Sequence, residues 1–104
     1  MSEIDPLPER HASPVVLYGR HSCIFCRMAM QWFAEHGVEH RFISVEGDQV
    51  RREAIARLSG QHTVPQIFVR GQSIGGYREL LAEAASGELE RRLSEDREND
   101  DDVG

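Results

Sequence analysis

The two cysteines of this 104-residue chain stand three positions apart, as Cys23-Ile24-Phe25-Cys26, with Arg20 before them and Arg27 after. Two thiols at this spacing can do a limited set of things. On a helix, residues three apart lie about 5–6 Å from each other on one side. That separation falls inside the window a disulfide needs, so the pair can close and open with little backbone movement. Cys23 is expected in the first turn of a helix capped by Ser22, where free N–H groups and the macrodipole favour a thiolate. The arginines add charge that does not titrate away. Each effect pushes a thiol below its ordinary value of about 8.5. Cys26, a turn deeper, receives less of this help. The asymmetry makes Cys23 the expected nucleophile and Cys26 the resolving thiol.

Other uses of the pair compete. Both cysteines could be buried fillers. They could be half of a zinc site with His21 and His62 as partners, but structural zinc takes four ligands and there is no second CxxC. No metal site is expected. A static disulfide is disfavoured in a reducing compartment, and the cytoplasm is the expected location. Residues 1–14 lack the apolar stretch of a signal peptide, and no apolar run approaches the roughly 20 residues of a membrane span.

Charge is unevenly placed. The net charge of −6 divides into −5 over residues 95–104, −2 over 1–14 and +1 over 15–94. A near-neutral body is no nucleic-acid surface. The expected organisation is a flexible segment over 1–13, one domain over 14–94 and an acidic disordered tail over 95–104.

The elements that must hold the cysteines follow from periodicity. Val15-Val16-Leu17-Tyr18 is a short apolar run suited to a strand buried on both faces. Phe25, Met28, Ala29, Trp32, Phe33 and His36 recur at helical spacing, and Gly37 stops that helix. Trp32 and Met28 are expected to pack inward and Met30 to be more exposed. Residues 38–45 read as a second strand. Asp48 caps a helix with Val50, Ala54, Ile55 and Leu58 inward, ended by Gly60. Residues 66–69 and 73–75 flank Gly71-Gln72 as a hairpin with a type II′ turn. A last helix starts near Tyr77 with Leu80, Leu81, Ala84 and Ala85 inward. Gly87 breaks it, and Leu89 and Leu93 suggest further turns. The order βαβα then ββα is an α/β fold, a small mixed sheet flanked by helices.

Taken together, Tyr18-Gly19-Arg20, Cys23-Ile24-Phe25-Cys26, Thr63-Val64-Pro65-Gln66-Ile67-Phe68 and Ile74-Gly75-Gly76-Tyr77 closely resemble a bacterial dithiol glutaredoxin over about residues 15–93. The resemblance implies a thioredoxin-like fold with four strands in the order 2-1-3-4 and a cis bond at Val64–Pro65. It implies glutathione as co-substrate, no organic prosthetic group, a monomer, and partners that are disulfide-bearing or glutathionylated proteins. Beyond the cysteines it assigns Arg20, Phe25, Thr63, Val64, Pro65, Gly75, Gly76, Tyr77, Arg78 and Glu79 to the glutathione site. Val64 would offer its backbone N–H and C=O as an added strand does. The start of the last helix at Gly75-Gly76 would take the γ-glutamyl carboxylate. Arg20 stands where the family usually has Lys, near the glycine carboxylate, and Glu79 would meet the glutathione amine. The chain departs from the family in having Ile24 and Phe25 in place of Pro and Tyr, and Arg78-Glu79 where many members have acids. Two further roles stay open: holding a [2Fe–2S] cluster through the first cysteine and glutathione, and accepting electrons from thioredoxin reductase.

Overall fold

A computed structural model describes residue 5 and residues 7–94. The elements run β1 (Val15–Gly19), α1 (Ile24–Glu35), β2 (Arg41–Ser44), α2 (Gln49–Ser59), β3 (Gln66–Val69), β4 (Gln72–Gly75) and α3 (Tyr77–Ser86), with a further helical stretch over 88–94. The strands order β2-β1-β3-β4, as expected. β1 and β2 are parallel, joined through α1, while β1–β3 and β3–β4 are antiparallel.

Every residue of β1 is buried, so the strand carries apolar side chains to both faces of the sheet. Val15 and Leu17 join Cys26, Ala29, Phe33, Ile67, Val69 and Leu80 on the face covered by α1 and α3. Val16 and Tyr18 join Leu7, Val45, Ala54, Ile55 and Phe68 on the face covered by α2. Period-two alternation on one strand thus builds two cores.

Several expectations are corrected. α1 begins one residue late: Cys23, not Ser22, is its N-cap. His21 and Ser22 lie in a turn closed by the Cys23 N–H on the Arg20 carbonyl at 3.1 Å. The buried stripe of α1 is rotated accordingly, to Cys26, Ala29 and Phe33, with Phe25 and Met28 exposed and Met30 partly buried. Trp32 is partly buried against the same core. β2 is shorter than expected because 38–40 close the end of α1. Gly37 takes φ 66°, and the Val38 N–H bonds the Phe33 carbonyl at 2.9 Å, a Schellman-type end. The Asp48 cap is as expected, accepting from the Arg51 N–H at 3.0 Å, but α2 buries only Ala54 and Ile55 and leaves Val50 79% exposed. Leu81 and Ala85 of α3 are exposed as well. The hairpin turn is Arg70-Gly71 rather than Gly71-Gln72, with φ 53° and 83°, the sign pattern of a type I′ turn.

The N-terminal segment is partly docked where a flexible lead-in was expected. Residues Pro8–His11 form a 3-10 turn, and Leu7 before it is fully buried. The Glu9 carboxylate accepts from the Tyr18 hydroxyl and from Arg51, both at 2.9 Å. Arg51 also reaches Asp48 at 2.8 Å. These bonds staple the segment to β1 and α2. The expected acidic tail, 95–104, lies outside the described residues.

Candidate active site

Cys23 is partly exposed, Cys26 is fully buried, and both are free thiols. Their environments differ because one helix start treats its first and fourth residues differently. A cap residue faces the N–H groups two and three positions on. For Cys23 these belong to Phe25 and Cys26. As a thiol Cys23 makes no cap hydrogen bond, and its sulfur lies 3.9 Å from the Val64 carbonyl oxygen, a long contact. Partial burial pushes its pKa up, but the Cys26 N–H, the Cys26 thiol, the Phe25 N–H and the Arg20 charge outweigh that and hold it below the ordinary value. Cys26 goes the other way. Burial pushes its thiol up to about 11, the facing Cys23 sulfur adds to this, and the Arg20 N–H opposes it.

Beside Cys23 runs a groove of about 430 Å³, lined by Phe25, Gln61, Thr63, Val64, Pro65, Gly76, Tyr77, Arg78 and Glu79. It forms where the loop before β3 meets the start of α3. The Val64–Pro65 bond is cis, as expected. A Cβ on Gly76 would stand 3.2 Å from the Pro65 carbonyl oxygen, so glycine lets the two backbones approach. The Phe25 and Tyr77 rings lie 6.1 Å apart across the gap between α1 and α3.

Eight of the residues assigned from the sequence therefore meet in one groove, and Cys23 borders it through Val64. Arg20 and Gly75 do not line it; Arg20 acts on the sulfurs through its charge. Glu79 is turned away from the role expected of it. Its carboxylate accepts from the Gly76 N–H at 2.8 Å, capping its own helix. Gln61 lines the groove unforeseen. Only its place in the loop two residues before Thr63 could have marked it. A larger hollow, about 490 Å³ over α2, is lined by Gln49, Arg52, Glu53, Ala56, Arg57 and His62 and contains no thiol.

Among the described residues, no three His, Cys, Asp or Glu side chains gather as a metal site. An iron–sulfur cluster takes four ligands, mostly thiolates. One chain offers a single reachable thiol, so a cluster here would need glutathione and a second chain to complete its ligands.

A four-stranded 2-1-3-4 sheet carrying CxxC at a helix start beside a cis-proline loop defines a thioredoxin-like thiol–disulfide redox protein. The glutaredoxin family model matches residues 15–74. Glutaredoxin 3 of Escherichia coli K12 is 36% identical over 79 residues, 76% of this chain and 95% of that protein. A glutaredoxin of Pseudomonas aeruginosa is 36% identical over 81 residues, covering 78% and 96%. Among solved structures, a buckwheat glutaredoxin–glutathione complex superposes with a TM-score of 0.76 at 25% identity, covering 82% of this chain and 80% of that one. Wheat glutaredoxin gives 0.78 at 28% identity, covering 86% of each chain. The chain belongs to the glutaredoxin family, a glutathione-dependent class of thiol–disulfide oxidoreductases.

Proposed function

We propose that this protein reduces glutathione mixed disulfides and protein disulfides, with Cys23 attacking and Cys26 resolving. The observation that carries the reading is the split between the two thiols: one reachable and held below its ordinary pKa, its neighbour sealed and pushed up.

On a glutathionylated substrate, the Cys23 thiolate forms a disulfide with the glutathione sulfur. The bond to the substrate sulfur breaks, and that sulfur leaves with the electron pair and takes up a proton. A second glutathione thiolate then attacks the Cys23-bound glutathione, giving glutathione disulfide and restoring the Cys23 thiolate. On a protein disulfide, the Cys23 thiolate bonds one protein sulfur as the protein's own S–S bond breaks, and the other protein sulfur leaves with the electron pair and is protonated. Cys26 then loses its proton, bonds to Cys23 and releases the protein thiol. The raised pKa of Cys26 keeps it from competing as a nucleophile until the mixed disulfide brings the step within reach.

Glutathione fits the groove by its chemistry. Val64, half-buried in the loop before β3, lines the groove, and its backbone there suits pairing with an extended peptide; a buckwheat relative is solved with glutathione bound. Arg20 puts positive charge on the Cys23 sulfur and Arg78 lines the groove, which suits an anionic tripeptide. A carboxylate docking at the start of α3 must share or displace the bond Glu79 makes to Gly76. The test is turnover of a small glutathione mixed disulfide and of a protein disulfide by wild type, Cys23→Ser and Cys26→Ser. Cys23→Ser should be inactive on both. Cys26→Ser should still turn over the mixed disulfide, because glutathione replaces the resolving thiol, while its protein-disulfide reduction falls. Turnover that required thioredoxin reductase and ignored glutathione would overturn the reading.

A further inference from the structure

Gly19 ends β1 on the face that carries Val15 and Leu17, under the helix that bears the cysteines. A Cβ on this residue would stand 2.4 Å from the Cys26 sulfur, 3.3 Å from Cys26 Cβ and 3.2 Å from Leu17 Cδ2. Non-bonded heavy atoms in good contact lie about 3.5–4.0 Å apart. No side chain fits at Gly19 while the sulfur is where it is. Backbone conformation does not call for glycine here, since Gly19 is not among the positive-φ residues. The bare end of the strand leaves a seat shaped to one atom.

We propose that Gly19 is a positioning residue: it seats the reduced Cys26 thiol, and closing the Cys23–Cys26 disulfide takes the sulfur out of that seat. A disulfide requires the two sulfurs to come within about 2.05 Å. In that step Cys26 gives up its proton and its sulfur is oxidised. The bond between Cys23 and the substrate sulfur breaks, and the substrate sulfur is reduced and protonated. A methyl group at position 19 opposes the resting place of the sulfur and not the bonded one. It therefore weakens the dithiol relative to the disulfide. The inference rests on the dithiol reading given above.

The experiment equilibrates wild type and Gly19→Ala with mixtures of glutathione and glutathione disulfide and reads the Cys23–Cys26 state by thiol alkylation and mass. Gly19→Ala should shift the equilibrium constant at least tenfold toward the disulfide. No shift, or a shift toward the dithiol, overturns the proposal. Thermal unfolding supplies an independent readout. Gly19→Ala should lower the reduced protein's melting temperature, and Cys26→Ala, which removes the sulfur, should relieve most of that loss. If Gly19→Ala alone does not fold, the Gly19→Ala/Cys26→Ala double variant must. A double variant that stays unfolded, or a loss equally large without the sulfur, shows that the glycine accommodates something else. A wild type that forms no Cys23–Cys26 disulfide at any glutathione ratio contradicts the dithiol reading itself, whereas the melting comparison still reads the seat.

Discussion

The two faces of the central sheet place an ionisable group beside the same strand and treat it in opposite ways. On the α2 face, Glu9 is buried in part against Tyr18 and Arg51. Burial raises its carboxyl, but the Arg51 hydrogen bond, its own N–H and the Tyr18 hydroxyl outweigh this and hold it below the usual carboxylate range. All of that stabilisation goes into docking the N-terminal segment. On the α1 face, Cys23 is also held below its ordinary range, but by N–H groups at a helix start and a neighbouring arginine, with its sulfur left at the surface. A charge that is saturated holds structure. A charge favoured by donors fixed in the backbone, with one side open, can react.

Variants that cross the two faces should separate these roles. The largest effect expected is on chemistry alone: Cys23→Ser should lower mixed-disulfide turnover by roughly three orders of magnitude or more, with a melting temperature near that of wild type. Leu7→Ala should do the reverse. Removing a fully buried leucine costs about 2–5 kcal/mol, seen as a lower denaturant midpoint, while turnover per folded molecule stays near wild type because Leu7 lies on the far side of the sheet. Were turnover to fall in step, the faces would not be independent.

Glu9→Gln should cost less, about 1.5–3 kcal/mol, the range for hydrogen bonds to a charged group. Its pH dependence has a definite sign. A carboxyl with a lowered folded pKa contributes stability that is complete above its unfolded value of about 4.3 and is lost as pH falls through the folded one. Wild type should therefore lose stability over that acid range more steeply than Glu9→Gln, measured by denaturant titration at stepped pH. The smallest effect belongs to Arg20→Gln. Arg20 is the weakest of the named influences on Cys23, behind the N–H groups and the Cys26 thiol. Its loss should raise the Cys23 pKa, but by less than Cys26→Ala does, since alanine removes the donor that the thiol supplies.

Most of the architecture was legible in the sequence because it rests on local rules. Strand burial, the Asp48 cap and the glycine ends of α1 and α2 follow from residues a few positions apart. Sheet order came from the resemblance and not from any period. The misplaced details depend on distant partners. The stripe of α1 turns toward Cys26, leaving Phe25 and Met28 exposed, because Cys26 packs as a small core residue against the end of β1. The hairpin turns at Arg70-Gly71, one residue before the Gly71-Gln72 expected from glycine alone. Arg70 is held at the turn by its N–H on the Pro14 carbonyl at 2.9 Å and its guanidinium on the Leu93 carbonyl at 2.7 Å. Leu7 stood alone among prolines, with no periodic neighbour to announce its burial. At the site, the groove residues were found through motifs, while the turning of Glu79 onto Gly76 depends on a side-chain rotamer that spacing does not fix.

The central claim is that the start of α1 keeps Cys23 ionised and reachable while Cys26 is neither. The most direct measurement is the rate of iodoacetamide alkylation at each cysteine of the reduced protein, resolved by mass, from acid to alkaline pH. Cys23 should react first, its rate rising to a plateau with a midpoint below the ordinary thiol value of about 8.5, while Cys26 stays unlabelled until far more alkaline pH. A Cys23 midpoint at or above that value, or Cys26 reacting as fast, would contradict the account.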